Sequence, residues 1–384
     1  MTYQELIDLG ITAREQTEPE KCLAYSGQAF IVDPDGAAAF NNYGNTLREM
    51  GQPKRAIPFL QHAVILDPEM STAKFNLAVA TLLAGDLKNG MIQYESRWDF
   101  EHLRGLLPKF SQPVWRGEDL TDKVIMVLGE QGHGDVLHFS RFVAELKKYN
   151  PKKICFQVGP DMVELFQSSK IFQDVEVSDY SKGAVFDTWS MLMSLPIGLG
   201  IDYSNLHSPL QYLEAPPRTI KEWQQRLGPK TQQRIGIGWS GRRDTWINRH
   251  KAVKFENVVD LIQRNAGHQW INLQADATDE ENAVLTDLGV CQYPNSIKDW
   301  SDTAGLMHHL DLVIGVDTSV SHLAGAMGRP LWVMLPQYAL DWRWLLDRDD
   351  SPWYPSAKLF RQPVRGDWDS VVDKITQYLD WWKN

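Results

Sequence analysis

The sequence predicts a mixed fold: a helical solenoid at the N-terminus, then two parallel-sheet α/β domains of Rossmann-like kind. Three observations carry this expectation. The first hundred residues repeat at a spacing of 34; residues 123–128 (KVIMVL) run into a glycine-rich turn and a helical stretch; and residues 311–336 read in succession as strand, turn, helix and strand. Strands that alternate with helices at this spacing form a parallel sheet covered on both faces.

At 384 residues the chain is long enough for two or three separate cores. Hydrophobic residues make up 43% and charged residues 23%, the balance of a globular protein. A formal charge of -10 argues against a general binder of nucleic acid or of anionic membranes, which need an excess of Lys and Arg. Cys22, Cys155 and Cys291 are far apart and lack metal-ligand spacing, so they read as reduced thiols of a cytoplasmic protein. The longest apolar runs are strand-sized, and no membrane span is expected.

In chain order, segments beginning at Tyr3, Ala37 and Ser71 place Leu6, Phe40 and Lys74 at their fourth position, Leu9, Tyr43 and Leu77 at the seventh, and Gly10, Gly44 and Ala78 at the eighth. The twentieth position holds Cys22, Ala56 and Gly90, the twenty-seventh Ala29, Ala63 and Arg97, and Pro34 and Pro68 fall at the thirty-second. Small residues at eight and twenty let two antiparallel helices approach while the large apolar ones fill the seam. Period and pattern resemble the tetratricopeptide repeat. One such repeat cannot bury its apolar face alone, so three stack into a short solenoid. Its surface either binds a protein partner or acceptor, or packs against the next domain.

The first α/β half begins with the strand at 123–128 and the turn Gly129, Glu130, Gln131, Gly132, His133, Gly134 and Asp135, before a helix over about 136–148. Closely spaced glycines permit a tight turn and the approach of a ligand to backbone. Their spacing is not GxGxxG, and no suitably placed acid follows a second strand, so no nicotinamide cofactor is expected. Asp135 at a helix start is either an N-cap or a general base that takes the proton of an attacking hydroxyl. His133 and His138 are the next candidates for that base. Strands at 154–158 and 175–177 and a helix at 162–168 continue the half, and residues 186–196 lead to a loop at its far edge.

The second half opens with the strand 234–239 (RIGIGW), followed by Ser240, Gly241 and the basic residues Arg242, Arg243, Arg249 and Lys251. Arg grips phosphate oxygens as a fork and Lys as a point charge, so the loop suits a diphosphate; a solvated basic loop is the alternative. Asp299 and Ser301 open a helix that faces the same strand edge. Within 311–336, an apolar strand turns through Asp317, Thr318 and Ser319 into a helix that contains His322. That turn offers backbone N–H groups, two hydroxyls and the positive end of a helix dipole at the carboxyl edge of a parallel sheet, where phosphates bind. The bland reading is that the same residues merely cap the helix. The closing stretch 368–383 carries a wide apolar stripe at helical spacing and is expected to dock across the first half.

Together GEQGHGD (129–135), MSLP (193–196), WSG (239–241) with NRHK (248–251), DWSDTAGL (299–306), residues 311–336 and residues 341–363 resemble bacterial tetratricopeptide-repeat glycosyltransferases with a GT-B region similar to the ADP-heptose lipopolysaccharide heptosyltransferases. The resemblance implies repeats over 1–104, a linker over 105–121, an acceptor-side Rossmann-like domain over 122–217, a nucleotide-sugar-binding one over 218–366, and a helix over 367–384 that packs back on the first. It implies Asp135 as catalytic base, beside the glycine-rich loop of Gly132, His133 and Gly134. It implies that Asp317, Thr318, Ser319 and His322 contact the donor diphosphate, joined by Ser240, Gly241 and the basic residues Arg243, Arg249 and Lys251. The chain departs from the family pattern at His133, where a small or apolar residue is common, and at residues 187–190, which leaves the acceptor open. The expected activity is transfer of a sugar, with inversion, from a nucleotide diphosphate-sugar to a glycan or protein hydroxyl. No DxD follows an apolar strand in a donor position, so neither metal nor cofactor is expected. The rival reading is a non-catalytic scaffold with a vestigial nucleotide-binding region.

Overall fold

A computed structural model of the protein describes residues 1–241, 243, 250–294 and 296–382. The chain forms two compact units. One comprises Met1–Phe110, Gly200–Leu206 and Gln337–Asp347; the other comprises Ser111–Leu199, His207–Pro336 and Arg348–Asn384.

The first unit holds three helical hairpins: α1 (Tyr3–Glu15) with α2 (Pro19–Val32), α3 (Ala37–Glu49) with α4 (Pro53–Leu66), and α5 (Ser71–Leu83) with α6 (Leu87–Tyr94). Each hairpin starts where the repeat does. Pro19 and Pro53 sit at the first position of their helices, where the missing N–H costs nothing. Gly51 and Gly85, at φ +72° and +92°, turn the chain between the helices of the second and third hairpins. A Cβ at Gly44 would lie 2.7 Å from Leu60 and one at Gly90 2.6 Å from Leu82, which is why these positions stay small.

The segment Gln337–Asp347 belongs to this unit, although the sequence placed it within the second α/β domain. Tyr338 donates its hydroxyl to Glu49 Oε2 at 2.7 Å, and the Ala339 amide donates to the Glu49 carbonyl at 2.8 Å. Glu49 is buried between Arg14, at 2.7 Å, and Arg48, at 3.3 Å. Burial alone would raise its carboxyl, but the two guanidinium groups hold it below the usual range. This docking joins those polar contacts to the burial of Tyr338, Leu340, Trp342 and Trp344, which follow no periodic pattern that the sequence could show.

The second unit contains two all-parallel sheets. The first has the order β3-β2-β1-β4, from β1 (Val124–Leu128), β2 (Lys153–Val158), β3 (Val175–Asp179) and β4 (Thr188–Met191). Residues 188–191, expected to approach a loop, instead form β4. Asp187 clamps it to β1 by accepting the Val124 amide at 2.7 Å and donating its own amide back at 2.9 Å. The second sheet has the order β6-β5-β7-β8-β9, from β5 (Arg234–Gly238), β6 (Gln269–Asn272), β7 (Leu312–Val316), β8 (Leu331–Leu335) and β9 (Ala357–Arg361). Strand order reverses at β1 in the first sheet and between β5 and β7 in the second. Ligands of open parallel sheets bind at these switch points, beyond the carboxyl ends of the strands.

The closing helix Trp368–Trp382 corrects a further expectation. Its stripe of Trp368, Val371, Val372, Ile375 and Leu379 enters the core of the second sheet, beside Ile235, Trp332 and Phe360, and not the first domain. Hydrogen bonds from Arg264 to Asp373 at 2.7 Å and from Asn265 to Thr376 at 3.1 Å select that site. An apolar stripe shows that a helix docks; its polar neighbours decide where.

The helices Pro217–Leu227 and Trp300–His308 cross at Gly305, where a Cβ would fall 2.6 Å from Thr219 Cβ and 2.8 Å from Trp223 Cδ1. Gly305→Ala is therefore expected to destabilise the protein by about 1–3 kcal/mol through overpacking, measured as a shift in chemical denaturation. Among the described residues, no helix is long and apolar enough to cross a membrane.

Candidate active site

The glycine-rich loop leaves β1 at its carboxyl end. The Gly129 amide donates to the Gln157 carbonyl at 2.8 Å, and the Tyr180 hydroxyl donates to the Gly129 carbonyl at 3.0 Å. Gln131 turns the loop at φ +60°, and the buried Glu130 accepts the Met193 amide at 2.9 Å, which ties the MSLP stretch to it. Asp135 is the third residue of the helix His133–Phe139 and accepts the Gly132 amide at 3.1 Å. It therefore caps its own helix, and it remains half-buried at the loop edge.

The two loops expected to converge do meet. A Cβ at Gly134 would lie 3.1 Å from the His322 ring and 3.5 Å from Ser319 Cα, so the first loop lies closely against the helix Ser319–Ala326. Thr318 is the extended residue before that helix, and Thr318, Ser319 and Val320 line a cavity of about 890 Å³ together with Ser240 and Gly241. The first-turn amides of a helix have no acceptor within it, so this turn presents donors and a positive dipole end.

Asp317 is not presented to the cavity in the expected way. It is buried and paired with Lys251, itself buried, and its second oxygen lies 3.4 Å from His322 Nε2. Burial would raise the Asp317 carboxyl, but the Lys251 ammonium and His322 hold it far below the ordinary range. Asp317 and Lys251 thus form an ion pair behind the turn, in place of two open phosphate ligands.

Ser240 is held by Gln274, whose Oε1 accepts the Trp239 and Ser240 amides at 3.0 and 2.9 Å and whose Nε2 donates to the Ser240 carbonyl at 3.0 Å. Arg243 is drawn away: its guanidinium bonds Glu281 at 2.6 Å, and this carboxylate raises its pKa. Arg249 lies outside the described residues, as does Arg242. The charged side chains lining the cavity, among the described residues, are Asp161, Asp276, Lys298 and Asp299, so Lys298 is the cationic side chain there and amides and hydroxyls are the other anion donors.

Sequence reasoning missed Asp161 and overlooked the role of Trp300. Asp161 lines the cavity, lies 3.0 Å from His133 Nε2 and accepts the Trp300 amide through its carbonyl at 3.0 Å; the His133 ring packs on Trp300 at 5.3 Å. Its place just beyond β2, at the same carboxyl edge as Asp135, was the available signal.

Two Rossmann-like sheets thus meet by their carboxyl edges at one cavity, in a chain that also carries tetratricopeptide-like hairpins. No family model matches the chain. In sequence it is similar to protein FlbA of Caulobacter vibrioides, with 26% identity over 348 residues, 81% of this chain and 55% of the relative. The chain thus spans about half the length of this curated relative. Among solved structures it is similar to a glycosyl transferase family 9 protein from Veillonella parvula, with 12% identity, 69% of this chain and 91% of that one covered, and a TM-score of 0.48. It is also similar to the E. coli ADP-heptose lps heptosyltransferase II, with 13% identity, 68% and 99% coverage and a TM-score of 0.47. A Thermobaculum terrenum O-GlcNAc transferase aligns over 99% of this chain and 92% of its own, with 11% identity and a TM-score of 0.30.

Proposed function

We propose that the protein is an inverting glycosyltransferase that moves a sugar from a nucleotide diphosphate-sugar to an acceptor hydroxyl. The observation that carries this reading is the meeting of the Gly132–Gly134 turn, with Asp135, and the Thr318–Val320 turn beside one cavity. Asp135 takes the acceptor proton, the acceptor oxygen attacks the anomeric carbon, and the bond from that carbon to the terminal phosphate oxygen breaks. The nucleoside diphosphate leaves with the electron pair, and the anomeric centre inverts. Amides of the 318–320 turn and the hydroxyls of Thr318, Ser319 and Ser240 stabilise the charge that grows on the leaving diphosphate, so the step needs no metal. His322 acts from behind the turn, with Asp317 and Lys251.

The acceptor is a glycan, of lipopolysaccharide type or otherwise, or a protein, and the helical hairpins supply a surface for a protein partner or acceptor. The proposed setting is the cytoplasm. Differential scanning fluorimetry against a panel of ADP-, GDP-, UDP- and CDP-sugars tests the donor class. The matching donor at a hundred times its Kd is expected to stabilise the fold by about 2.7 kcal/mol. EDTA is expected to leave both that shift and turnover unchanged; loss of turnover that a divalent ion restores would refute the metal-independent step.

A further inference from the structure

We propose that Tyr354 is a positioning residue of the donor site, acting through His322 on Asp317 and Lys251; this rests on the donor-site reading of the 317–322 turn. Tyr354 is buried, and its hydroxyl oxygen lies 2.8 Å from His138 Nδ1 and 2.8 Å from His322 Nδ1. His138 belongs to the helix that begins in the glycine-rich loop, and His322 to the helix that begins at the phosphate-facing turn. One hydroxyl therefore joins the two walls of the cleft from behind.

A hydroxyl has one proton and cannot donate to both rings. His322 Nε2 faces Asp317 Oδ1 at 3.4 Å, and a bare nitrogen lone pair against a carboxylate is repulsive, so Nε2 carries a hydrogen. Asp317 and Lys251 already neutralise each other, and an added imidazolium would be an uncompensated buried charge. His322 is then the neutral Nε2–H tautomer and accepts the Tyr354 proton at Nδ1, while His138 donates to Tyr354 from Nδ1. The hydrogen-bonded chain runs from His138 through Tyr354 and His322 to Asp317, and Lys251 closes it from the other side. It fixes the orientation of the His322 ring, against which Gly134 is packed.

The ring of Tyr354 is held independently of its hydroxyl. It covers Gly325, and the Arg141 guanidinium stacks 4.8 Å from its centre while donating to the Trp353 carbonyl at 2.7 Å. Tyr354→Phe therefore removes the bridge and keeps the packing.

Long-range 1H–15N correlation spectra of the histidine rings in the full-length labelled protein test the arrangement. Opposite neutral tautomers are expected, Nε2–H for His322 and Nδ1–H for His138. In Tyr354→Phe the far-UV spectrum should be unchanged, the His138 pattern should move, and affinity for whichever of ADP, GDP, UDP and CDP binds best should weaken about tenfold. The same tautomer in both wild-type rings would overturn the proton arrangement whether or not the variant folds. Ring patterns and diphosphate affinity that survive Tyr354→Phe would overturn the positioning role alone. Wild-type protein that binds none of the four diphosphates would overturn the donor-site reading and the positioning role with it.

Discussion

Asp135→Asn is expected to lower kcat by about 10²–10⁴-fold while donor affinity stays within about twofold, because the amide keeps the shape of the side chain and loses the ability to take a proton. The separation of the two effects is the informative part. Asp135 also accepts the Gly132 amide at 3.1 Å, so it has a structural duty that Asn retains through its own carbonyl oxygen. A variant that loses only helix stability would change the unfolding midpoint and leave turnover per folded molecule intact. Single-turnover rates and isothermal titration with the same donor distinguish these outcomes. Wild-type protein without turnover on any acceptor, although it binds donor, would favour the scaffold reading.

Lys251→Met is expected to cost about 3–5 kcal/mol of stability at pH 7, since it leaves the buried Asp317 carboxylate with His322 as its remaining partner and no ammonium against its charge. The pH dependence should change sign with it. In the wild type the Asp317 pKa is depressed on folding, so its contribution is complete above the ordinary value of 3.8 and is lost as pH falls below it. In Lys251→Met the desolvated carboxyl is raised, so the charged form costs stability above its ordinary pKa and protonation relieves the cost. The deficit relative to wild type should therefore shrink as pH falls from 7 toward 4. Denaturant titrations across that range measure it, and a loss below about 1 kcal/mol at pH 7 would contradict the buried-pair account.

Much of the fold was legible because its signals are local and periodic. The helices α1, α3 and α5 begin at Tyr3, Ala37 and Ser71, where the repeat begins, and β7 and β8 coincide with the apolar runs Leu312–Val316 and Leu331–Leu335. Of the candidate site residues, Gly134, Ser319 and His322 come together, with Ser240, Gly241 and Thr318 at the adjoining cavity. Arg243 is paired with carboxylates, Glu281 at 2.6 Å and Asp276 at 3.7 Å. Asp317 and Lys251 were read as two phosphate ligands, when each is the other's counter-ion. A sequence shows that a residue is charged; only its neighbours show whether that charge is already spent.

By itself the sequence determined the hairpin repeat, the parallel strands and the two turns at their carboxyl edges, since apolar period, glycine placement and strand-to-helix order act over a few residues. Tertiary structure alone decided that Trp368–Trp382 rests on the second sheet, that Gln337–Asp347 joins the helical unit, and that Tyr354 stands between His138 and His322. These are pairings of residues far apart in the chain, chosen by shape, burial and single hydrogen bonds, and no local pattern encodes them.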